Sequence, residues 1–227
     1  MNWVEHVDRN GYAIVPPVVD RLVVRNLLER LNGSDLQRSR AGVRHLMREP
    51  WVAEIAAREE MIGMAREILG AVAWPFRATL FDKSASSNWL VAWHQDTALP
   101  LRERREQPGW GPWSVKEGVN YAHAPREALE KIVALRLHLD DSNASNGPLR
   151  VLPGTHRSGV LTDEEVHRLA EGISAVECLV ERGGVVIMRP LVVHASSKAT
   201  SEQPRRVLHI EYAATEKIAE GLELRVA

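Results

Sequence analysis

The chain has a single cysteine, Cys178, in 227 residues, so it can form neither an internal disulfide nor a thiolate cage. Any metal it holds must be bound through nitrogen and oxygen. An excess of either charge is also missing. Twenty-nine Lys and Arg against thirty Asp and Glu leave a formal charge of -1, with no global basic field to hold nucleic acid or an anionic membrane. No apolar run approaches the ~20 residues of a membrane span, and Glu5, Asp8 and Arg9 stand where a signal peptide would be apolar. The expectation is a cytoplasmic protein with no nucleic-acid or membrane partner. Repeats, low-complexity tracts and long polar linkers are lacking too, which argues for one domain over residues 1–227. What remains, 44% hydrophobic and 26% charged, is the composition of a globular protein with one sizeable core.

The elements are unevenly distributed. Residues 1–74 read as mostly helical support. After a short edge strand in 12–19, broken by Pro16 and Pro17, Asp20 caps a helix that carries Leu22, Val23, Leu27, Leu28 and Leu31 at helical spacing. Residues 51–69 give a second helical region, stopped by Gly70. From 75 to 213 the pattern turns to short β-like runs at 77–81, 89–94, 132–139, 149–152, 175–180, 185–188 and 205–213, with turn signals such as Asn146-Gly147-Pro148 between them. One helix near 162–169, opened by the capping box Thr162 and Glu165, interrupts them. Because the strands do not alternate with helices, the expected class is α+β, mainly β: a jelly roll with the N-terminal helices packed outside. Residues 97–131, rich in Pro and Gly and holding Trp110 and Trp113, read as an irregular stretch, and loops of this length are commonly lids.

Most of the nine histidines read as ordinary. His6, His45 and His167 have no acidic or histidine neighbour at metal spacing. His94 and Asp96 differ, because residues two apart on an extended chain point the same way and can converge on one ion. His194, at the end of another apolar run, supplies a second imidazole. Two imidazoles and a carboxylate from separate strands are the facial triad of non-haem Fe(II) oxygenases, which leaves coordination positions open. The alternative is that Asp96 caps a turn and both histidines are satisfied by hydrogen bonds.

The runs Trp93-His94-Gln95-Asp96, Asn146-Gly147-Pro148-Leu149-Arg150-Val151-Leu152-Pro153-Gly154-Thr155-His156 and His194-Ala195-Ser196, followed by Arg205-Arg206, resemble the phytanoyl-CoA dioxygenase family of Fe(II)- and 2-oxoglutarate-dependent oxygenases. The similarity runs in register over about residues 77–212. It implies a double-stranded β-helix, a cupin-like jelly-roll barrel, and iron ligands at His94, Asp96 and His194. It also implies an arginine eleven residues beyond the second histidine, Arg205, paired with the distal carboxylate of 2-oxoglutarate, and a supporting hydroxyl at Ser196. Strand parity alone does not choose between Arg205 and Arg206, since Leu208, Ile210 and Tyr212 share a face with Arg206; the family spacing selects Arg205.

Other residues are placed by alternation. Leu90 and Ala92 share the parity of His94 and are expected to line the co-substrate pocket, with Trp89, Val91 and Trp93 packing outward. Arg136 and His138 form a polar row that meets substrate or 2-oxoglutarate if it faces the barrel interior, and solvent if it does not. Lys83 and Asn88 read as solvated turn residues or as contacts to an anion. Trp113 is expected at the mouth of the iron pocket, and His209 is left without a role. The resulting expectation is a dioxygenase that uses Fe(II), 2-oxoglutarate and O2 to hydroxylate a small-molecule metabolite, releasing succinate and CO2. The competing readings are a cupin-like metal-dependent lyase or isomerase and a non-catalytic small-molecule-binding β-barrel.

Overall fold

The computed structural model describes residues 2–36, 42–70, 72–84 and 87–227. Four helices open the chain: α1 (Trp3–Asn10), α2 (Arg21–Asn32), α3 (Pro50–Ala57) and α4 (Glu59–Leu69). Thirteen of the fifteen described strands make up the three larger sheets: β1 (Tyr12–Val15), β2 (Gly42–Val43), β3 (Trp74–Lys83), β4 (Val91–His94), β5 (Ala98–Leu101), β6 (Trp113–Lys116), β7 (Val119–His123), β8 (Ile132–His138), β9 (Leu149–Val151), β10 (Val176–Cys178), β11 (Val185–Met188), β12 (His194–Ser196) and β13 (Arg205–Ala213). They form a six-stranded sheet in the order β1-β11-β8-β13-β3-β2, a four-stranded sheet β10-β9-β12-β4 and a three-stranded sheet β5-β7-β6. Every pairing is antiparallel, as a jelly roll requires.

The expected helix starts are present. Asp20 Oδ1 accepts from the Leu22 amide at 2.7 Å, and Thr162 and Glu165 form the reciprocal cap of the helix Asp163–Gly172. The region 51–69 is two helices rather than one, because Arg58 takes an extended conformation (φ -62, ψ 142) between α3 and α4. Helix α1 was not expected. Only eight residues long, it is held by its cap, Asn2 Oδ1, which accepts from Val4 N.

The large sheet is covered on both faces, and this decides where the polar residues go. Leu135 and Leu137 of β8, Leu208, Ile210 and Tyr212 of β13 and Ile187 of β11 pack against α1–α4 in the main core. Each fully buried Leu or Ile there contributes about 1.5–3 kcal/mol. Tyr212 also donates its hydroxyl to the Ala56 carbonyl at 2.9 Å, tying α3 to the sheet. The alternate residues, Arg136 and His138 of β8 and Arg205, Val207, His209 and Glu211 of β13, are buried and face the four-stranded sheet. Ala134, Leu149, Val151, Cys178, Val186 and Met188 form an apolar plug between the two sheets.

The irregular stretch 97–131 is a correction. It contains the three-stranded sheet β5-β7-β6, whose short strands lie between proline- and glycine-rich turns that mask a period of two. Trp113, expected at the mouth of the iron pocket, sits elsewhere. On β6 it alternates with Ser114 and Lys116, and it packs partly buried against the cluster that includes Leu99, Leu101, Trp110 and Ala122. Trp113→Ala is therefore expected to destabilise the fold by on the order of 2–3 kcal/mol, somewhat below the ~3–5 kcal/mol of a fully buried aromatic, and so to lower the melting temperature. Coupling of co-substrate turnover to substrate should survive. Differential scanning calorimetry beside an uncoupled-turnover assay checks this; lost coupling at an unchanged melting point would make Trp113 part of a lid.

Candidate active site

His94 and His194 face each other across the β4–β12 pair, with ring centroids 4.2 Å apart. Each ring is fixed by its own backbone. His94 Nδ1–H donates to the Ala92 carbonyl at 2.8 Å and His194 Nδ1–H to the Val192 carbonyl at 2.9 Å, which leaves both Nε2 lone pairs bare. Asp96 closes the group: its oxygens lie 3.6 Å from His94 Nε2 and 3.5 Å from His194 Nε2, and one ligand atom from each residue falls within 4.8 Å of the others. Among the described residues this is the one such cluster.

Gln95, between the two ligands, turns the other way and fastens the segment. Its side chain donates to the Gly159 and Leu191 carbonyls at 2.9 and 2.8 Å and accepts from the Leu161 amide at 2.8 Å. The Asp96 amide donates to the Pro190 carbonyl at 2.9 Å, so β4 is anchored to the segment that precedes β12. Burial pushes the His194 imidazole down to about 4, which keeps it neutral and able to ligate. Burial alone would raise Asp96, yet His194 and His94 hold it well below the usual carboxylate range. For His94 burial is likewise outweighed by Asp96, and its pKa is raised. Two imidazole nitrogens and one ionised carboxylate on a shared point fit a divalent iron.

A narrower cavity on one side of the triad is lined by Phe81, Trp89, Val91, Arg136, Leu149, His194, Ser196 and Arg205, together with His94 and Asp96. Expected residues Leu90 and Ala92 are not in it: Leu90 is 60% exposed and Ala92 is exposed as well. The reason is a bulge. His94 pairs with His194 but Val91 pairs with Ser196, so three residues of β4 span two of β12 and the parity reverses between them. Trp89 and Val91 therefore point inward.

The far end of this cavity is cationic. Arg205 is buried, its Nε donating to the Asn146 carbonyl at 3.3 Å and its Nη2 to Ser196 Oγ at 3.4 Å, while Nη1 has no partner. Lys83, also buried, donates to Ser196 Oγ at 2.7 Å and to the Ser197 carbonyl at 2.5 Å, and burial with Arg205 nearby pushes it down to about 7. Gly147 (φ 68) passes beside this group; a Cβ there would lie 2.4 Å from the Ser197 carbonyl and 3.0 Å from Lys83 Nζ. A buried guanidinium with an orphaned N–H, beside a hydroxyl that a lysine amine fixes, fits the carboxylate of a small acid. Arg206 faces away and is spent on Asp140, donating at 2.7 and 2.8 Å.

A larger cavity of about 350 Å³ lies on the other side, lined by Arg44, Arg77, Thr79, Phe81, His94, Asp96, Lys116, Tyr121, His123, His209 and Glu211 among others. Its inner wall is a fixed ion pair, Arg77 with Glu211, which also donates from Arg77 to the Ala98 carbonyl at 2.7 Å. Sequence reasoning missed this pair. The parity of Arg77 with Thr79 and Phe81 was the available signal, but nothing local says which face of β3 is enclosed. From the segment 97–131 come Thr97, Ala98, Lys116, Tyr121 and His123, so the stretch does reach the site, though not through Trp113. Asn88 bonds Ala199 in both directions and lines neither of these two cavities. His138 is buried with both ring nitrogens unpartnered, and His209 accepts from Arg136.

Comparison with known proteins agrees with this arrangement. The sequence matches the family described as phytanoyl-CoA dioxygenase over residues 7–207. It is 26% identical over 242 residues to an L-proline trans-4-hydroxylase of Streptomyces griseoviridis, covering 90% of this chain and 82% of that protein. With an ectoine dioxygenase of Halomonas elongata it shares 25% identity over 175 residues, 67% of this chain and 46% of the other. Among solved structures, EctD from S. alaskensis in its apo form has a TM-score of 0.70 at 19% identity, covering 92% of this chain and 75% of that one, which establishes the shared fold.

Proposed function

The chain belongs to the phytanoyl-CoA dioxygenase family, and from that premise we propose that this Fe(II)- and 2-oxoglutarate-dependent dioxygenase hydroxylates a small hydrophilic molecule. His94, Asp96 and His194 hold the iron, and Arg205 and Ser196 hold the distal carboxylate of 2-oxoglutarate, with Lys83 fixing the Ser196 hydroxyl from behind. The observation that carries this reading is that His94, Asp96 and Phe81 line both cavities, so one metal point separates a narrow cationic slot from a wider polar chamber. A dicarboxylate fits the first and a substrate the second. The relatives act, by their names, on proline and ectoine, which are small and polar.

The iron, with 2-oxoglutarate and O2, supplies the oxidising chemistry when bound. The protein does the positioning. Backbone carbonyls hold the two imidazoles in the tautomer that ligates, and Gln95 keeps Asp96 in place. Arg205 offers a fork that matches a carboxylate in geometry as well as charge. In the wider chamber Thr79, Tyr121 and His123 present hydrogen-bonding groups, while the Arg77–Glu211 ion pair forms one wall. No described helix is long and apolar enough to cross a membrane.

The test is release of succinate from 2-oxoglutarate by protein supplied with Fe(II), measured alone and with panels of small polar and of apolar candidates. Stimulation is expected from polar candidates only. A protein that binds 2-oxoglutarate yet never releases succinate with any candidate would support the non-catalytic binding barrel instead.

A further inference from the structure

Arg136 carries a charge that has no ion-pair partner among the described residues. It is 6% exposed, and no described carboxylate stands within ion-pair distance. Its Nη1 donates to His209 Nδ1 at 3.0 Å, its Nε has no partner, and its guanidinium carbon lies 5.0 Å from the centre of the Phe81 ring. None of these neighbours is negative. An imidazole that accepts from arginine has a bare nitrogen, and burial together with Arg136 keeps His209 neutral. The buried Cys178 thiol is pushed up to about 12, so it is uncharged as well. Burying an unpaired guanidinium is strongly unfavourable unless an anion arrives to meet it.

The position says which anion. Arg136 lines the narrower cavity with His94, Asp96 and His194 at one end and Ser196 and Arg205 at the other, and it is absent from the lining of the wider chamber. His209, which Arg136 meets at 3.0 Å, lines the wider chamber together with His94 and Asp96, and this puts Arg136 toward the metal end of the slot. A divalent ion on the triad would claim the Asp96 charge, leaving Arg136 to look for another. Along β8 and β13, Arg136 is level with His209, while Arg205 lies two inward steps further toward the start of β13. The two guanidinium groups therefore enter one slot from different levels.

We propose that Arg136 binds the carboxylate at the metal end of 2-oxoglutarate, so that the co-substrate is gripped by an arginine at each end. This rests on the reading of the narrower cavity as the 2-oxoglutarate slot. The requirement for an anion also gives Arg136 a cost in the empty protein, and removing its charge should relieve that cost.

The experiment uses the Fe(II)-loaded full chain without oxygen, titrated with 2-oxoglutarate and with 2-oxopentanoate, which keeps the metal-end carboxylate and lacks the distal one. Binding is followed by the metal-to-ligand charge-transfer absorption, and melting temperatures are taken without ligand. Arg136→Gln should weaken both ligands by about 10- to 100-fold, with Arg136→Lys in between, and should melt no lower than the parent. Arg205→Lys should weaken 2-oxoglutarate alone. Unchanged affinities in both Arg136 variants overturn the proposal, as does a loss confined to 2-oxoglutarate, which would move Arg136 to the distal end. A lowered melting temperature in both variants with intact binding would make it a structural residue and overturn it too. Should the parent itself give no absorption band with either ligand, the co-substrate slot is misread and the function proposed above fails with it.

Discussion

Replacing His94, Asp96 or His194 with alanine is expected to abolish Fe(II) binding and turnover together. The parent should bind one Fe(II) per chain, because among the described residues only this cluster brings three such ligand atoms within 4.8 Å. Loss of a ligand should exceed the ~10–100-fold that is typical when a surrounding hydrogen-bond partner is removed. Gln95→Ala, which only loosens the segment between the ligands, is expected inside that range. Metal content after equilibrium dialysis and succinate release check both statements. Retention of stoichiometric iron in all three alanine variants would show that the metal sits elsewhere. The folds of the variants should persist, since the triad contributes no hydrophobic contact to the main core.

The second large effect separates two neighbouring arginines. Arg205→Lys is expected to raise the Michaelis constant for 2-oxoglutarate by about one to two decades, corresponding to ~1.5–3 kcal/mol for a charge-assisted bond that a point charge cannot reproduce. Arg206→Lys should leave that constant unchanged and lower the melting temperature instead. Its guanidinium forks onto Asp140, which is buried, and also shares the Asp140 carboxylate with its own backbone amide at 3.0 Å. A lysine would keep the charge and lose the fork. Steady-state kinetics and thermal melts on both variants read the two effects independently. The opposite ranking would mean that β13 is rotated by one residue relative to β8 and β3.

Several features of the site were legible in the chain itself. A strand that ends in His-Gln-Asp puts its first and third side chains on one side whatever the rest of the fold does, so His94 and Asp96 belong together from local geometry alone. Alternation likewise grouped Arg136 with His138, although it could not say where that row points. The helix starts at Asp20 and Thr162 were readable because capping is a local hydrogen-bond problem. The Arg205 assignment needed more than alternation, since Arg206 shares its face with the apolar residues of the same strand.

Other features came only from the assembled sheets. The six-stranded sheet is covered by helices on one face and by the second sheet on the other, so its apolar face meets the helices and its polar face is the enclosed one. A rule that puts apolar residues inside cannot see this, because both faces are inside. Lys83 looked like a turn residue and is buried, for its strand runs on past Phe81 beneath Ser196. Trp113 was aimed at the site by its place in the sequence and turned away by its pairing on β6. Leu90 and Ala92 were misplaced by one bulge, which reversed the parity between Val91 and His94. Sequence by itself determined the ligand types, their local spacing and the strand alternation, because those depend on neighbours along the chain. Which face is enclosed, and where parity breaks, was decided by the partner strand, because a strand's period is fixed by its own backbone while its register and its inside are set by what it pairs with and packs against.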